Sequence, residues 1–394
     1  MTATKTNSSL CRHVKLNVLK VLLCGTVHIA CQADCLAEAV EFEIPKTGAF
    51  LPLKAESKGT EFYCTLNTGS LETAVNDKSP KLYGALIQKN DDDPRSITRQ
   101  SLICEGVPMK IGHYTLQTGP ATVLPLSGLQ RALGFKFEAI IGIRQLKSTR
   151  IYVNNSAGVM SLLQEVPPDL IEKWSSCEID PKLHGTKVRL WFEGKMRNFT
   201  VSTGMTDYLD LEGPLYQEVV QSKGAAQMDE QSASKGVGTS GVRMQQRAVF
   251  QKGYFMGRPL AGCPITSGTE NIIGLRWLHQ YDYLIDYVGL KFFYRSRLLA
   301  HPMDPWVILG MRLSFDIEKH EAVISELAPN SVLRNAGAKE GDRLVTFGLL
   351  KENEINFVTV EEEFQKYGDG KITLEILKPQ SPTPQRFVLN IENK

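Results

Sequence analysis

Hydrophobic and polar positions alternate with a period of two over several short stretches of this chain, and the stretches come in matched pairs. Phe50-Leu-Pro-Leu-Lys54 alternates as a strand, Glu56-Ser-Lys-Gly-Thr60 supplies turn residues, and Phe62-Tyr-Cys-Thr-Leu66 alternates again. This predicts a β-hairpin whose second strand runs into Asn67-Thr68-Gly69. Lys187-Val-Arg-Leu-Trp-Phe192, the turn Glu193-Gly194 and the run Met196 to Val201 predict a second hairpin, leading into Ser202-Thr203-Gly204. The two Xaa-Thr-Gly elements lie 135 residues apart. Ala139-Ile-Ile-Gly142-Ile-Arg144-Gln-Leu146 matches Asn271-Ile-Ile-Gly274-Leu-Arg276-Trp-Leu278 at an offset of 132, and Ile151 to Asn154 matches Tyr283 to Asp286 at the same offset. Three landmarks in one order at nearly one spacing indicate an internal duplication.

The pattern changes after a loop-like stretch, residues 298–304. Trp306-Val-Ile-Leu309-Gly310-Met311-Arg-Leu313 leads into a strand, and Glu321 to Leu327 alternates as the next. Ser331 opens a short helical stretch to Ala336-Gly337, and Glu340-Gly-Asp-Arg-Leu-Val345 enters a further strand. Thr359-Val-Glu-Glu362 has the spacing of a capping box for a second helix ending near Tyr367. Lys371 to Leu377 and Phe387 to Ile391 complete the set.

At 394 residues the chain is long enough for two to four folding units, and 42% apolar with 22% charged residues is the composition of a globular protein. The net charge of +2 supplies no field that selects nucleic acid. Lys5, Arg12, Lys15 and Lys20 precede a short apolar run, Val21 to Cys31, and Cys35-Leu36-Ala37 offers a small-residue cleavage site. The run is too short to span a bilayer. The expectation is a signal peptide over residues 1–37, export to a periplasmic or extracellular space, and no stable membrane span once it is removed. An uncleaved amphipathic anchor is the other reading of this segment. Export permits disulfides among Cys64, Cys104, Cys177 and Cys263, with three pairings open.

Searches for ligand motifs exclude more than they find. Gly236-Val-Gly-Thr-Ser-Gly241 satisfies G-x-G-x-x-G, but Gln231 to Lys235 before it does not read as a strand and no carboxylate follows at the required distance. Residues 232–242 therefore read as a flexible loop at a rim. The seven histidines include no metal-binding pair, the mature cysteines form no C-x-x-C, and Asp91-Asp92-Asp93 before Pro94 lacks the ligand intervals of a calcium loop. No cofactor and no metal is expected.

A hairpin running into Xaa-Thr-Gly, followed much later by two apolar residues and a glycine, all of it repeated, resembles the two-lobed aspartic peptidases of the pepsin and retropepsin type. The resemblance covers roughly residues 40–297. It implies a mainly β fold with a bilobal β-barrel body: an N-terminal lobe over 38–165, a linker over 166–182 and a C-terminal lobe over 183–297. It also implies that Thr68 and Thr203 sit back to back, each bonding the other's loop, and that Gly142 and Gly274 pass close behind those loops. Residues 305–394, with their hydrophobic-Gly-hydrophobic loop, Asn335-Ala-Gly337 turn and Glu340-Gly-Asp-Arg-Leu344 entry, resemble a small α+β PDZ domain. PDZ domains capture a peptide or protein C-terminus by strand addition. That resemblance assigns the carboxylate to the amides of Leu309, Gly310 and Met311, and the groove to Val360 and Phe364; the last two also suit a core.

The departure from the peptidase pattern falls on the chemistry. Aspartic peptidases hold two carboxylates that share a proton, and here the two positions are Asn67 and Ser202, in loops with Thr68, Gly69, Thr203 and Gly204. An amide has no usable basicity, and a serine hydroxyl needs a base of its own. The expectation is a pseudopeptidase that binds extended polypeptide. Two alternatives are an active endopeptidase using another carboxylate, with Glu72 and Asp207 as candidates, and an architectural protein whose own loops fill the cleft. Arg144 and Arg276 stand where the family often has an acid; they either tie down loops or line an anion-friendly cleft.

Overall fold

The computed structural model describes residues 40–45, 50–83, 86–90, 100–116, 119–181, 185–227, 234–238, 241–297, 308–328, 331–367 and 370–390. The expected leader 1–37, the Asp91-Asp92-Asp93-Pro94 run and the linker 298–304 lie outside the described residues. The chain is mainly β, 46% strand against 15% helix, in several sheets. Among the described residues no helix is long and apolar enough to cross a membrane.

In the first half, β1 (Pro52–Ser57) and β2 (Thr60–Asn67) form the predicted hairpin. Its turn uses Lys58 and Gly59, both at positive φ, the combination that matches the twist of paired strands. The chain continues through β3 (Thr73–Asn76), the helix α1 (Ser127–Leu133), β4 (Ala139–Gly142) and the short helix α2 (Ile143–Leu146). Strand β4 slots between two earlier strands, parallel to β2 with Gly142 opposite Asn67 and antiparallel to β3. All four of its residues are buried, as an apolar Ala-Ile-Ile-Gly run inside a sheet requires.

The second half repeats this plan. The hairpin of β5 (Thr186–Phe192) and β6 (Lys195–Val201) turns on Glu193 and Gly194, again both at positive φ. After β7 (Leu209–Glu212), the two-residue strand β8 (Ile272–Ile273) runs parallel to β6 and antiparallel to β7, and α3 (Leu275–Leu278) follows. The halves meet in a six-stranded sheet, where the duplicated strands Arg150–Asn154 and Tyr281–Asp286 lie antiparallel with Ile151 opposite Ile285. One apolar core runs through both halves, and Leu66, Ile141, Val201, Leu209 and Ile273 have no exposed surface within it.

The duplication is not uniform. In the first half residues 125–138, which include α1, separate the strand Ala121–Leu124 from β4, whereas in the second only residues 269–271 separate Pro264–Gly268 from β8. The glycine-rich segment also departs from the loop expected of it: Ser234–Gly238 and Gly241–Gln245 pair as an antiparallel hairpin. Val237 and Val242 are register partners there, so residues of high strand propensity interrupt the glycines and outweigh them.

The C-terminal segment has its own core and a sheet in the order Met311–Asp316 (β9), Glu321–Leu327 (β10), Arg343–Phe347, Lys371–Leu377, Gln385–Asn390. Among the described residues strand β9 is an edge, paired with β10 alone. The helix α4 (Phe357–Gln365) starts before the predicted capping box. Asn356 is its N-cap, accepting from the amides of Val358 and Thr359 at 3.0 Å each, while the Thr359 hydroxyl accepts from the Asn356 amide at 2.9 Å. Asparagine is a stronger N-cap than threonine, and Thr359 serves instead as the third residue of the box.

Candidate functional site

The two Xaa-Thr-Gly loops meet each other. The Thr68 amide donates to Thr203 Oγ1 and the Thr203 amide donates to Thr68 Oγ1, both at 3.1 Å. Each hydroxyl then donates across the divide, Thr68 to the Val201 carbonyl at 2.7 Å and Thr203 to the Leu66 carbonyl at 2.9 Å. Both threonines are buried, so every donor and acceptor in this closed ring has a partner where water is absent. Thr186 ties in the second half from below: its amide and hydroxyl both donate to the Thr68 carbonyl, at 2.9 and 2.8 Å, and its hydroxyl lies 2.7 Å from Tyr287 Oη.

The ring brings Asn67 and Ser202 face to face. Ser202 Oγ donates to Asn67 Oδ1 at 3.4 Å, and the Gly69 amide donates to the same oxygen at 3.0 Å. The loop glycines permit this approach. A Cβ on Gly204 would stand 2.3 Å from Asn67 Cγ, and one on Gly69 would stand 2.5 Å from Ser202 Oγ. Behind the loops, a Cβ on Gly142 would meet the Glu72 carbonyl oxygen at 2.4 Å and one on Gly274 the Asp207 carbonyl oxygen at 2.1 Å. Both are backbone contacts that cannot yield, so glycine is required at each crossing.

Chemically the pair is neutral. An amide and a hydroxyl offer hydrogen bonds to an extended backbone but no group that takes or gives a proton near neutral pH. Of the alternative acids, Glu72 is held by Arg144 at 2.7 Å, with both side chains nearly half exposed. Asp207 is half-buried in the loop behind Gly274. The described residues hold no group of three or more potential metal ligands.

The two arginines are held in different ways. Arg144 ties down its own loop through Glu72, whereas Arg276 reaches out of its half and pairs with Glu361 of α4, the two side chains only 5% and 4% exposed. The Arg276 guanidinium also lies over the rings of Tyr208, at 5.9 Å, and Phe357, at 5.6 Å. Neither arginine is left as an open anion site.

In the C-terminal segment, the loop Leu309-Gly310-Met311 is fixed by hydrogen bonds from the Ser331 hydroxyl to the Leu309 carbonyl (2.7 Å) and from the Ala328 amide to the Gly310 carbonyl (2.8 Å). Gly310 sits at φ +57°, with Ser331 and Ala328 against it. Leu309 and Met311 are buried. Val360 and Phe364 have no exposed surface; they belong to the core, with the Phe364 ring 6.4 Å from that of Phe347. This is the core reading left open for them, and in the docked chain neither presents a face to a ligand. Among the described residues Cys64, Cys104, Cys177 and Cys263 are free thiols, and burial pushes that of Cys177 up to about 12.

Sequence reasoning missed Asp210 and Glu361. Asp210 is buried, accepts from the Thr266 hydroxyl, and has its carboxyl pushed up to about 7, first by burial and then by the charge of Asp207, against the opposing effect of Arg247. An aspartate at the centre of the apolar run Leu209-Asp210-Leu211 was its visible signal. Glu361 carried none, since an acid inside Val360-Glu-Glu-Glu-Phe364 reads as a solvated helix face. No protein-family model matches this chain, and no curated protein matches it.

Proposed function

We propose that this chain is a pseudopeptidase: a two-lobed, aspartic-peptidase-like scaffold, followed by a PDZ-like unit, that binds extended polypeptide in a cleft between its lobes without cleaving it. The observation that carries the reading is the closed ring of Thr68 and Thr203 with Asn67 and Ser202 set face to face above it. That arrangement suits a pair of carboxylates sharing a proton, and an amide and a hydroxyl stand there instead. Losing one general acid or base costs about 10²–10⁴ in rate, and this scaffold lacks both. Asn67 and Ser202 instead offer one amide and one hydroxyl to the backbone of a bound strand. The PDZ-like unit adds a second polypeptide site at its edge strand β9. On this reading the protein is exported and acts by capture.

The test is cleavage of a denatured protein between pH 3 and 7 by the full chain and by the Asn67→Asp/Ser202→Asp variant. The parent is expected to be silent and the variant to cut, with a maximum on the acid side where one carboxyl of the pair is protonated. Cleavage by the parent overturns the reading in favour of a catalytic carboxylate elsewhere. A folded variant that does not cut removes the peptidase ancestry from it.

A further inference from the structure

The helix α1 belongs to an insertion that the second half does not have, and it makes contacts its own half does not need. It lies beside β9 and the N-terminal end of α4, and also beside the hairpin strand Ser234–Gly238 of the second half. Of its seven residues only Arg131 is exposed. Gly134, its left-handed C-cap, fits between Phe315 of β9 and the cap residue Asn356, where an added Cβ would stand 3.0 Å from atoms of each. Phe357, the first residue of α4, packs against both the main core and the C-terminal core, and Glu361 one turn on is locked to Arg276.

These contacts fall on the two elements that a strand-adding ligand needs. Such a ligand pairs with a free sheet edge while its side chains lie against the adjoining helix. Here the edge is β9 and the helix is α4. We propose that α1 and Gly134 are the built-in occupant of this groove, so that a polypeptide C-terminus enters only by displacing them and undocking the C-terminal unit from Arg276. The proposal rests on the reading of residues 305–394 as a peptide-capturing unit. Among the described residues no strand pairs with the outward edge of β9, and a helix beside it does not continue its ladder, so that edge is the place where an extended ligand would add. Because α1 also touches the Ser234–Gly238 strand, its displacement changes the surroundings of the second half as well.

The experiment compares the full chain with two variants altered only on the body side, Arg276→Met and Gly134→Leu. The first removes the Arg276 charge from the buried Glu361; the second drives a side chain into Phe315 and Asn356. The probe is an array of decapeptides ending in free Val, Leu, Ile or Phe, beside the same peptides with amidated ends. Hydrogen exchange over β9 and α4 reports whether the groove has opened. Both variants are expected to lose protection there without peptide and to bind free-ended peptides at least tenfold more tightly than the parent, with amidated copies ignored. Equal binding by parent and variants overturns the occupant and leaves peptide capture standing. Variants that open by exchange yet bind nothing overturn peptide capture itself, and the occupant with it. Unchanged exchange in both variants also overturns the proposal, since α1 then does not hold the groove shut.

Discussion

Arg144 and Arg276 stand at matched places, each two residues beyond the glycine that crosses behind an Xaa-Thr-Gly loop, yet they are held in opposite ways. Arg144 meets Glu72 of its own half in a pair that is 44% and 46% exposed. Arg276 meets an acid from a different unit in a pair almost sealed from water, with Tyr208 and Phe357 against its guanidinium. The same residue at the same point of a duplicated plan is therefore a surface tether in one half and a docking anchor in the other. Environment sets what each is worth. An exposed pair contributes little after screening and side-chain entropy, while a buried pair carries a large desolvation cost that falls on whichever partner is left alone.

The largest effect follows directly. Arg276→Met or Glu361→Gln alone should each destabilise the docked chain by roughly 3–5 kcal/mol, because each strands or weakens a buried charge. The combined Arg276→Met/Glu361→Gln variant should cost clearly less than the sum of the two, since it buries no charge. Urea denaturation followed by tryptophan fluorescence checks this, read together with exchange across α4. Additive losses would show that the pair is not coupled and that docking rests on Phe357 and α1 alone.

A second contrast lies one strand away. Ala74 and Asp210 occupy matched register positions, opposite Ile140 and Ile272. Ala74 joins an apolar cluster with Leu126, Phe137 and Ile140 at the foot of the α1 insertion, whereas Asp210 is a buried acid raised to about 7. Between its unfolded value near 4 and that folded value, the native state keeps a proton the unfolded chain has lost, so Asp210 lowers stability as pH rises through this window. Asp210→Asn keeps an acceptor for Thr266 and removes the titration. The variant should gain on the order of 2–4 kcal/mol relative to the parent between pH 4 and pH 7. His279 works the other way, since burial lowers it to about 4 and stability falls as pH drops from about 6.5. The two slopes offset each other in the parent, and the variant should lose the Asp210 slope while keeping that of the histidine. A variant-minus-parent difference that does not change with pH would mean that Asp210 ionises like a surface acid.

Local pattern revealed the hairpins, the crossing strands and the duplicated Thr-Gly loops, because strand alternation and the demand for glycine at a close backbone approach are written in neighbouring residues. That Asn67 and Ser202 meet was implied by the resemblance to two-lobed aspartic peptidases and not by local pattern, which says nothing of two loops 135 residues apart. Local pattern did not reveal the docking of the C-terminal unit, since Arg276 and Glu361 are far apart in the chain and each alone is an ordinary surface residue type. Val360 and Phe364 illustrate a related limit. Apolar residues one helical turn apart define a face, but whether that face meets a ligand or a core depends on the sheet beneath it. The α1 helix went unpredicted as well: its seven residues, Ser127–Leu133, include a glycine and give too short a window for a helical period to stand out.

The smallest effect sharpens the comparison from its exposed side. Glu72→Gln removes the partner of Arg144 while leaving both side chains in contact with water, so the loss of stability should be under about 1 kcal/mol and should shrink further in high salt. The Glu72 backbone carbonyl, which packs behind Gly142, is untouched by this change. If Glu72 were the catalytic carboxylate of an active enzyme, its replacement would abolish cleavage by the parent chain; with no cleavage expected, only the slight change in stability should register. A loss comparable to that of Glu361→Gln would instead mean that the first loop depends on its ion pair as the docked unit does, and the contrast between the two arginines would collapse.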